Sequence, residues 1–264
     1  MPELPDVETF RRYFESTSLG RTIERVDVLD RRMLDDISPR KLQLALAKKK
    51  FTDSVRCGKY LLANVSNDGS LTLHFGMTGY LAYLTDGQEP PRHTRVLIQF
   101  TNGDRLAFVN QRIFGRVGLV EDADRLRELK SLGPDALASN LDLDAFRKIV
   151  AGRIGKIKAI LMNQKLIAGI GNIYSDEILF QAGVHPETRA RDLDEAALKH
   201  LFRSMKQVLE EVIECQADSR KIPESFLLSH RSRDGRCPKD GKKLSRAKIL
   251  GRTAYFCPEH QFKK

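Results

Sequence analysis

The feature that most constrains this chain is a change of hydrophobic period partway along it. Between Lys59 and Val120 apolar and polar residues alternate in short runs: Lys59–Val65, Ser70–Phe75, Tyr80–Leu84, Thr94–Thr101, Arg105–Asn110 and Arg116–Val120. The turn signals Asn67-Asp68-Gly69 and Asn102-Gly103 punctuate them. A two-residue period sends neighbouring side chains to opposite faces of a strand, so repeated runs of this kind predict an antiparallel β-sandwich or barrel. From Asp122 onward the apolar spacing lengthens to three or four, which predicts helices over Leu141–Ala151, Lys156–Asn163, Ile173–Ala182 and Leu193–Cys215. The fold class is therefore α+β, with the break over Glu121–Gly133.

Three further elements precede the strands. Pro5 to Thr17 reads as a helix with Pro in its first turn and Val7, Phe10 and Phe14 at helical spacing. Thr22–Leu29 reads as a strand, and Ser38-Pro39 opens a short helix to Ala47 by the Ser cap and Pro first-turn pattern. In the last long helix Asp192 and Glu195 have capping-box spacing, and Leu198, Leu201, Met205, Val208, Leu209 and Val212 form a stripe expected to be core.

The N-terminus is Met1-Pro2-Glu3. If Met1 is removed, Pro2 presents a secondary amine, and an α-amino group titrates near ~7.7–8.0, so a useful fraction is nucleophilic at neutral pH. Such an amine can attack a sugar aldehyde carbon and form an iminium, with the Glu3 carboxyl moving protons. The N-terminal dipole of the following helix favours an anion beside it.

Charge points to the partner. The chain has 264 residues, 41% of them hydrophobic, enough for two domains with their own cores, and a formal net charge of +10. Residues 217–264 carry 13 Lys and Arg against 5 Asp and Glu. Clustered cations gain free energy by releasing counterions from a phosphate backbone. The four cysteines, at 57, 215, 237 and 257, make no disulfide framework. With no apolar leader and no apolar run of membrane length, the expected location is cytoplasmic or nucleoid-associated.

Three constellations bear on chemistry. In Gly169-Ile170-Gly171-Asn172 the glycines let backbone approach a ligand, Asn172 can cap the next helix, and exposed N–H groups can take a phosphate; the alternative is an ordinary tight connection. Met77 and Phe114, by sequence alone, read as core. Near the C-terminus Cys237-Pro-Lys-Asp240 and Cys257-Pro-Glu-His260 each have the two-residue spacing of a zinc knuckle. Two outcomes stay open there: a Cys2AspHis zinc site, or a zincless hairpin whose cysteines pack as small apolar groups.

Taken together, PELPDVE at the terminus, GMTG, NQRIFG, NQKLIAGIGNIYSDEILFQAGVHP and GRTAYFCPEHQ, in that order, resemble the formamidopyrimidine-DNA glycosylase and endonuclease VIII family over nearly the whole chain. The resemblance implies a β-sandwich catalytic domain over residues 1–121, a helix-two-turn-helix domain over 134–216 and a zinc-finger or zincless-finger hairpin over 230–264. It implies Pro2, Glu3 and Lys59 for catalysis, and His93, Lys158, Asn172 and Arg252 for DNA binding. Met77, Arg112 and Phe114 become a wedge that fills the hole left by a flipped nucleotide. Departures from the family pattern are Asp6 where Glu is usual, Ile113 where many relatives carry Arg, and Asp240 and His260 where the finger usually has Cys.

The implied function is a base-excision-repair DNA glycosylase with β,δ-elimination lyase activity, acting as a monomer, without a redox cofactor, on double-stranded DNA containing oxidised bases or abasic sites. In the resembled family, purine-lesion enzymes often carry a long loop between the last helix and the finger that closes over 8-oxoguanine; here only residues 216–236 lie there, so the resemblance implies formamidopyrimidines or oxidised pyrimidines ahead of 8-oxoguanine. The rivals are a DNA-binding lookalike that has lost the chemistry and a general zinc-ribbon module, which leaves the strand-rich half unexplained.

Overall fold

The computed structural model describes residues 2–66 and 69–262; Met1, whose removal is at issue, and the Asn67-Asp68 part of the expected turn lie outside the described residues. The chain divides into two compact units, Pro2 with residues 6–130 and residues 3–5 with residues 131–262.

In the first unit the helix α1 (Leu4–Ser18), counted here from Asp6, is followed by β1 (Ile23–Val28), α2 (Pro39–Leu46), β2 (Phe51–Cys57), β3 (Tyr60–Val65), β4 (Ser70–His74), β5 (Gly79–Leu84), β6 (Thr94–Phe100), β7 (Arg105–Asn110), β8 (Arg116–Val120) and α3 (Ala123–Lys130). The strands pair antiparallel in two 4-stranded sheets of order β1-β6-β7-β5 and β2-β3-β4-β8. Val26, Leu81, Ile98 and Phe108 from one sheet and Leu61, Leu71, Leu73 and Val117 from the other bury into one core, with Val7 and Phe14 of α1 and Leu42 and Leu46 of α2. Of the two expected architectures the chain forms the sandwich. Each such side chain contributes about 1.5–3 kcal/mol on burial.

The sequence pattern did not mark β2. Its register against β3 shifts between Phe51 and Asp53, so Phe51 and Ser54, three apart, share a face, while Cys57 is buried on the other face. A bulge of this kind erases the two-residue period by which a strand is recognised.

The second unit contains α4 (Leu143–Val150), α5 (Ile157–Leu161), α6 (Asn172–Gln181), α7 (Glu195–Glu214) and the hairpin β9 (Ser245–Ile249) to β10 (Arg252–Phe256). α6 is buried from Tyr174 through Phe180, which makes it the axis of the unit. The expected stripe of α7 is core throughout. Its cap is Asp194, whose carboxylate accepts the Ala197 N–H at 2.8 Å, while Asp192 lies in a preceding 3-10 turn; the capping box at Asp192 is not formed. The hairpin turns through Leu250 and Gly251, both at positive φ (48° and 73°), the two-residue turn that suits strand twist. It rests on Phe180 of α6 through Leu227, Leu244, Cys237 and Cys257. Among the described residues no helix is long and apolar enough to cross a membrane.

Candidate active site and nucleic-acid interface

Glu3 is fully buried in the second unit, and its carboxylate sits on the N-terminus of α6. Oε2 accepts the N–H groups of Gly171 at 2.8 Å and Tyr174 at 3.2 Å, and Oε1 accepts that of Ile173 at 2.9 Å. These are groups a helix start leaves without intrahelical partners, and the helix dipole favours an anion there. The expected Asn172 cap is therefore not formed: Gly171 is the cap residue, Asn172 begins the helix, and its Oδ1 is buried without a partner. Nor are these N–H groups open to a phosphate. The glycines serve the chain's own terminus, since a Cβ at Gly171 would lie 2.3 Å from the Glu3 carboxyl carbon and one at Gly169 2.6 Å from Leu4 Cδ1. The Leu4 N–H donates to the Gly169 carbonyl at 3.0 Å.

Lys158 lies behind this helix start and is wholly enclosed. Its ammonium donates to the Asn172 carbonyl at 2.9 Å, Ser175 Oγ at 2.7 Å and Asp176 Oδ1 at 2.7 Å. A lysine has three such donors, so none is left for the phosphate contact expected of it in this geometry. Burial lowers its pKa, opposed by Asp176. Asp176, also buried, accepts on Oδ2 from Arg231 at 2.9 Å and from the Tyr255 backbone N–H at 3.1 Å, so one carboxylate ties α5, α6, the segment after α7 and β10 together. Sequence patterning missed Asp176 and Arg231. The signal was present as two acids, Asp176-Glu177, inside the apolar run of α6.

In the first unit Met77 and Phe114 are not core; they are 38% and 53% exposed. Two loops present them. Gly76 packs so closely under Phe114 that a Cβ would meet its carbonyl carbon at 2.4 Å, and Asn110 Nδ2 donates to the Phe75 carbonyl at 2.9 Å. Arg112 donates its backbone N–H to Thr78 Oγ1 at 3.2 Å, and its guanidinium lies 5.4 Å from the Phe114 ring centroid. Met77, Arg112 and Phe114 are thereby brought together. Ile113 turns toward the sandwich core with a left-handed backbone, φ 55°. His93 is also left-handed, φ 70°, and its carbonyl accepts the Asn110 N–H at 3.0 Å.

Lys59 sits half-buried in the turn between β2 and β3. Its charge acts on His74, whose imidazole is pushed down to about 4, first by burial and then by Lys59, Arg116 and Lys130. A neutral imidazole thus stands in a positive field. His74 was not singled out in the sequence, although it immediately precedes the Phe75-Gly76-Met77 run.

At the base of the hairpin one ligand atom each from Cys237, Asp240, Cys257 and His260 lies within 4.8 Å of all the others. Zinc bonds of about 2.0–2.3 Å in a tetrahedron require ligand atoms roughly 3.3–3.8 Å apart. Cys257 Sγ is 3.1 Å from Asp240 Oδ2, Cys237 Sγ 3.9 Å from His260 Nδ1, and His260 Nδ1 3.6 Å from Asp240 Oδ2. The donor set and its spacing fit a divalent ion. Arg252 is exposed at the start of β10.

Comparison with known proteins follows the same lines. The profile of the formamidopyrimidine-DNA glycosylase N-terminal domain matches residues 1–117, and that of the H2TH domain of the same enzymes matches residues 132–224. The formamidopyrimidine-DNA glycosylase of Pelotomaculum thermopropionicum is 35% identical, the match covering 99% of each chain. That of Arabidopsis thaliana is 32% identical over 99% of this chain and 71% of its own. Among solved structures, the Lactococcus lactis enzyme non-covalently bound to DNA containing an abasic site superposes with a TM-score of 0.90 at 29% identity, covering 99% of this chain and 100% of that one. The same enzyme with DNA containing an N7-benzyl formamidopyrimidine lesion gives 0.88 at 30%.

Proposed function

The chain belongs to the formamidopyrimidine-DNA glycosylase family, and from that premise we propose that it removes oxidised bases from duplex DNA and then cuts the abasic strand through a Schiff base on Pro2. The observation that carries the proposal is the Glu3 carboxylate. Peptide-bonded to Pro2, it is buried and held by three backbone donors, so the residue after the amine has one fixed acceptor position rather than a mobile side chain.

The steps follow from that pairing. The Pro2 amine attacks C1′ of the flipped nucleotide and the damaged base leaves with the electrons of the glycosidic bond; the amine loses its proton, the C1′–O4′ bond then breaks, O4′ takes a proton, and the nitrogen lone pair closes the iminium. The resulting iminium makes the C2′ proton acidic; its removal expels the 3′ phosphate, and a second elimination expels the 5′ phosphate. Glu3 carries protons between these steps. Lys59, in a loop of net positive field, stabilises phosphate negative charge. Met77, Phe114 and Arg112 occupy the space of the extruded base, the first two by apolar contact and the third by its planar donors. Arg252 grips a phosphate, and His93 and Asn172 complete the contacts with DNA. Lys158 acts at one remove, as a positioning residue that fixes the α6 start and, through Asp176, Arg231.

Zinc suits the Cys237, Asp240, Cys257 and His260 cluster, where it would hold the two knuckles of the finger together. Residues 1–121, 134–216 and 230–264 are the corresponding working domains. Among lesions, formamidopyrimidines or oxidised pyrimidines come before 8-oxoguanine. In segment 216–236 Phe226 and Leu227 are anchored in cores and Leu228 is bonded to Glu177, which leaves little free chain to close over a purine. A protein of this kind works in the cytoplasm or nucleoid.

The test is borohydride trapping on an abasic duplex with the wild type, Pro2→Gly and Glu3→Gln, the N-terminus checked by intact mass. A covalent adduct on the wild-type N-terminal peptide, absent from Pro2→Gly, is expected. No adduct from a Met1-free protein that binds the duplex would leave only the non-catalytic lookalike.

A further inference from the structure

The β9–β10 ribbon has two faces, and they carry different cations. Residues directly opposite in an antiparallel pair share a face, and alternate residues along a strand do too. Arg252 pairs with Ile249 and so lies on the face of Ala254 and Phe256. Arg246 and Lys248 lie on the other face, opposite Tyr255 and Thr253, separated by two strand rises of roughly 6.6 Å. Lys248 Nζ donates to Thr253 Oγ1 at 3.0 Å, which places that face directly.

On it is a cavity of about 550 Å³ lined by Arg233, Lys243, Arg246, Lys248 and Thr253, with no acidic residue in the lining. Asp234 touches its edge by pairing with Lys243 at 3.1 Å. On the same face of the ribbon Tyr255, opposite Arg246, lies under the Arg231 guanidinium, 5.0 Å from the ring centroid. All four lining cations are exposed. Like charges gathered on a surface repel one another and add nothing to folding, whereas a polyanion gains from each of them.

We propose that this outer face of the finger is a second DNA-binding surface, taking phosphates of undamaged duplex that Arg252, on the opposite face, cannot reach. The proposal rests on the DNA-acting function given above. It assigns to Arg233, Lys243, Arg246 and Lys248 a sequence-independent contact that holds the protein on DNA away from a lesion.

The experiment compares wild type with the Arg246→Gln/Lys248→Gln protein on an undamaged duplex over a series of salt concentrations. Each phosphate contact adds about 0.9 to the slope of log affinity against log salt, so the double variant should lose about 2 from that slope. The Arg246→Lys protein should keep the wild-type slope. Single-turnover base release at saturating protein should not change. An unchanged slope overturns the proposal, and so does a loss of single-turnover rate, which would put these residues in the lesion site. Wild-type adduct formation on an abasic duplex is scored in parallel: its absence beside a reduced slope would sink the glycosylase function and leave the strip standing.

Discussion

Glu3 Oε2 accepts the Gly171 backbone N–H at 2.8 Å, joining residues 168 positions apart in sequence. The contact explains why glycine stands at the α6 start. Gly171 has φ −129°, which any residue can adopt, so the need for glycine is one of space and not of backbone freedom. A side chain there would occupy the carboxylate's position.

Gly171→Ala is therefore expected to fold and to lose chemistry. The added Cβ would stand 2.3 Å from Glu3 Cδ, which displaces the carboxylate from its three donors. Donors left without partners cost about 1–3 kcal/mol of stability, and losing a positioned proton carrier costs about 10²–10⁴-fold in rate. Single-turnover base release should fall within that range while affinity for an abasic duplex stays near wild type. Gly155→Ala, whose Cβ would meet Ile160 only at an ordinary 3.6 Å, should keep full activity. Equal rates for the two variants would remove Glu3 from the chemistry.

The wedge loops predict the opposite split between stability and function. Met77 and Phe114 are exposed, so truncating either to Ala should change stability by no more than about 0.5 kcal/mol. An extruded base leaves a stacking deficit of about 1–3 kcal/mol, and every 1.4 kcal/mol is tenfold. Each truncation should slow excision from duplex by about 10- to 100-fold. A destabilised variant with unimpaired excision would mean that these side chains belong to the fold alone.

How much of this was legible in the sequence depends on the range of the interaction. The α7 stripe and the Ser38 cap, whose side-chain oxygen accepts the Lys41 N–H at 3.1 Å, were readable because the partners lie within one helical turn. β2 was lost to its bulge. The cap of α6 could not be read locally at all, since Asn172 is at the right place for a cap and the carboxylate that does it comes from Glu3. For Lys158 the resemblance implies a DNA contact, and only the fold shows that Ser175, Asp176 and the Asn172 carbonyl already surround its ammonium. Met77 and Phe114 show the reverse case, apolar residues whose exposure no local pattern reveals.

Zinc content is the next outcome. Protein purified without chelator should hold one zinc per chain by native mass spectrometry, and Asp240→Asn should bind it more weakly. Removing the metal should lower Tm, because Cys237 and Cys257 also pack with Phe180, Leu227 and Leu244 and the knuckles would no longer be tied. A zinc-supplemented protein that stays metal-free and keeps its Tm in chelator would decide for the zincless hairpin.

The remaining expectation concerns pH. Glu177 is fully buried in α6, Oε1 accepting Gln181 Nε2 at 2.8 Å and Oε2 the Leu228 N–H at 2.8 Å. Burial raises its carboxyl from 4.5 to about 7, against the pull of those donors. The native state then keeps a proton that the unfolded chain has released, so between about 4.5 and about 7 unfolding free energy falls as pH rises. His74, lowered to about 4, works with the opposite sign between that value and 6.5, and Glu8, whose depressed carboxyl lies below 4.5, works outside the window. The informative quantity is thus the difference between proteins. Glu177→Gln cannot titrate, and its urea midpoint relative to wild type should rise steadily from about pH 4.5 to about pH 7 and level off above. A constant difference across that window would show that Glu177 holds no proton in the folded protein, and that its bond to Leu228 is a plain carboxylate contact at every pH.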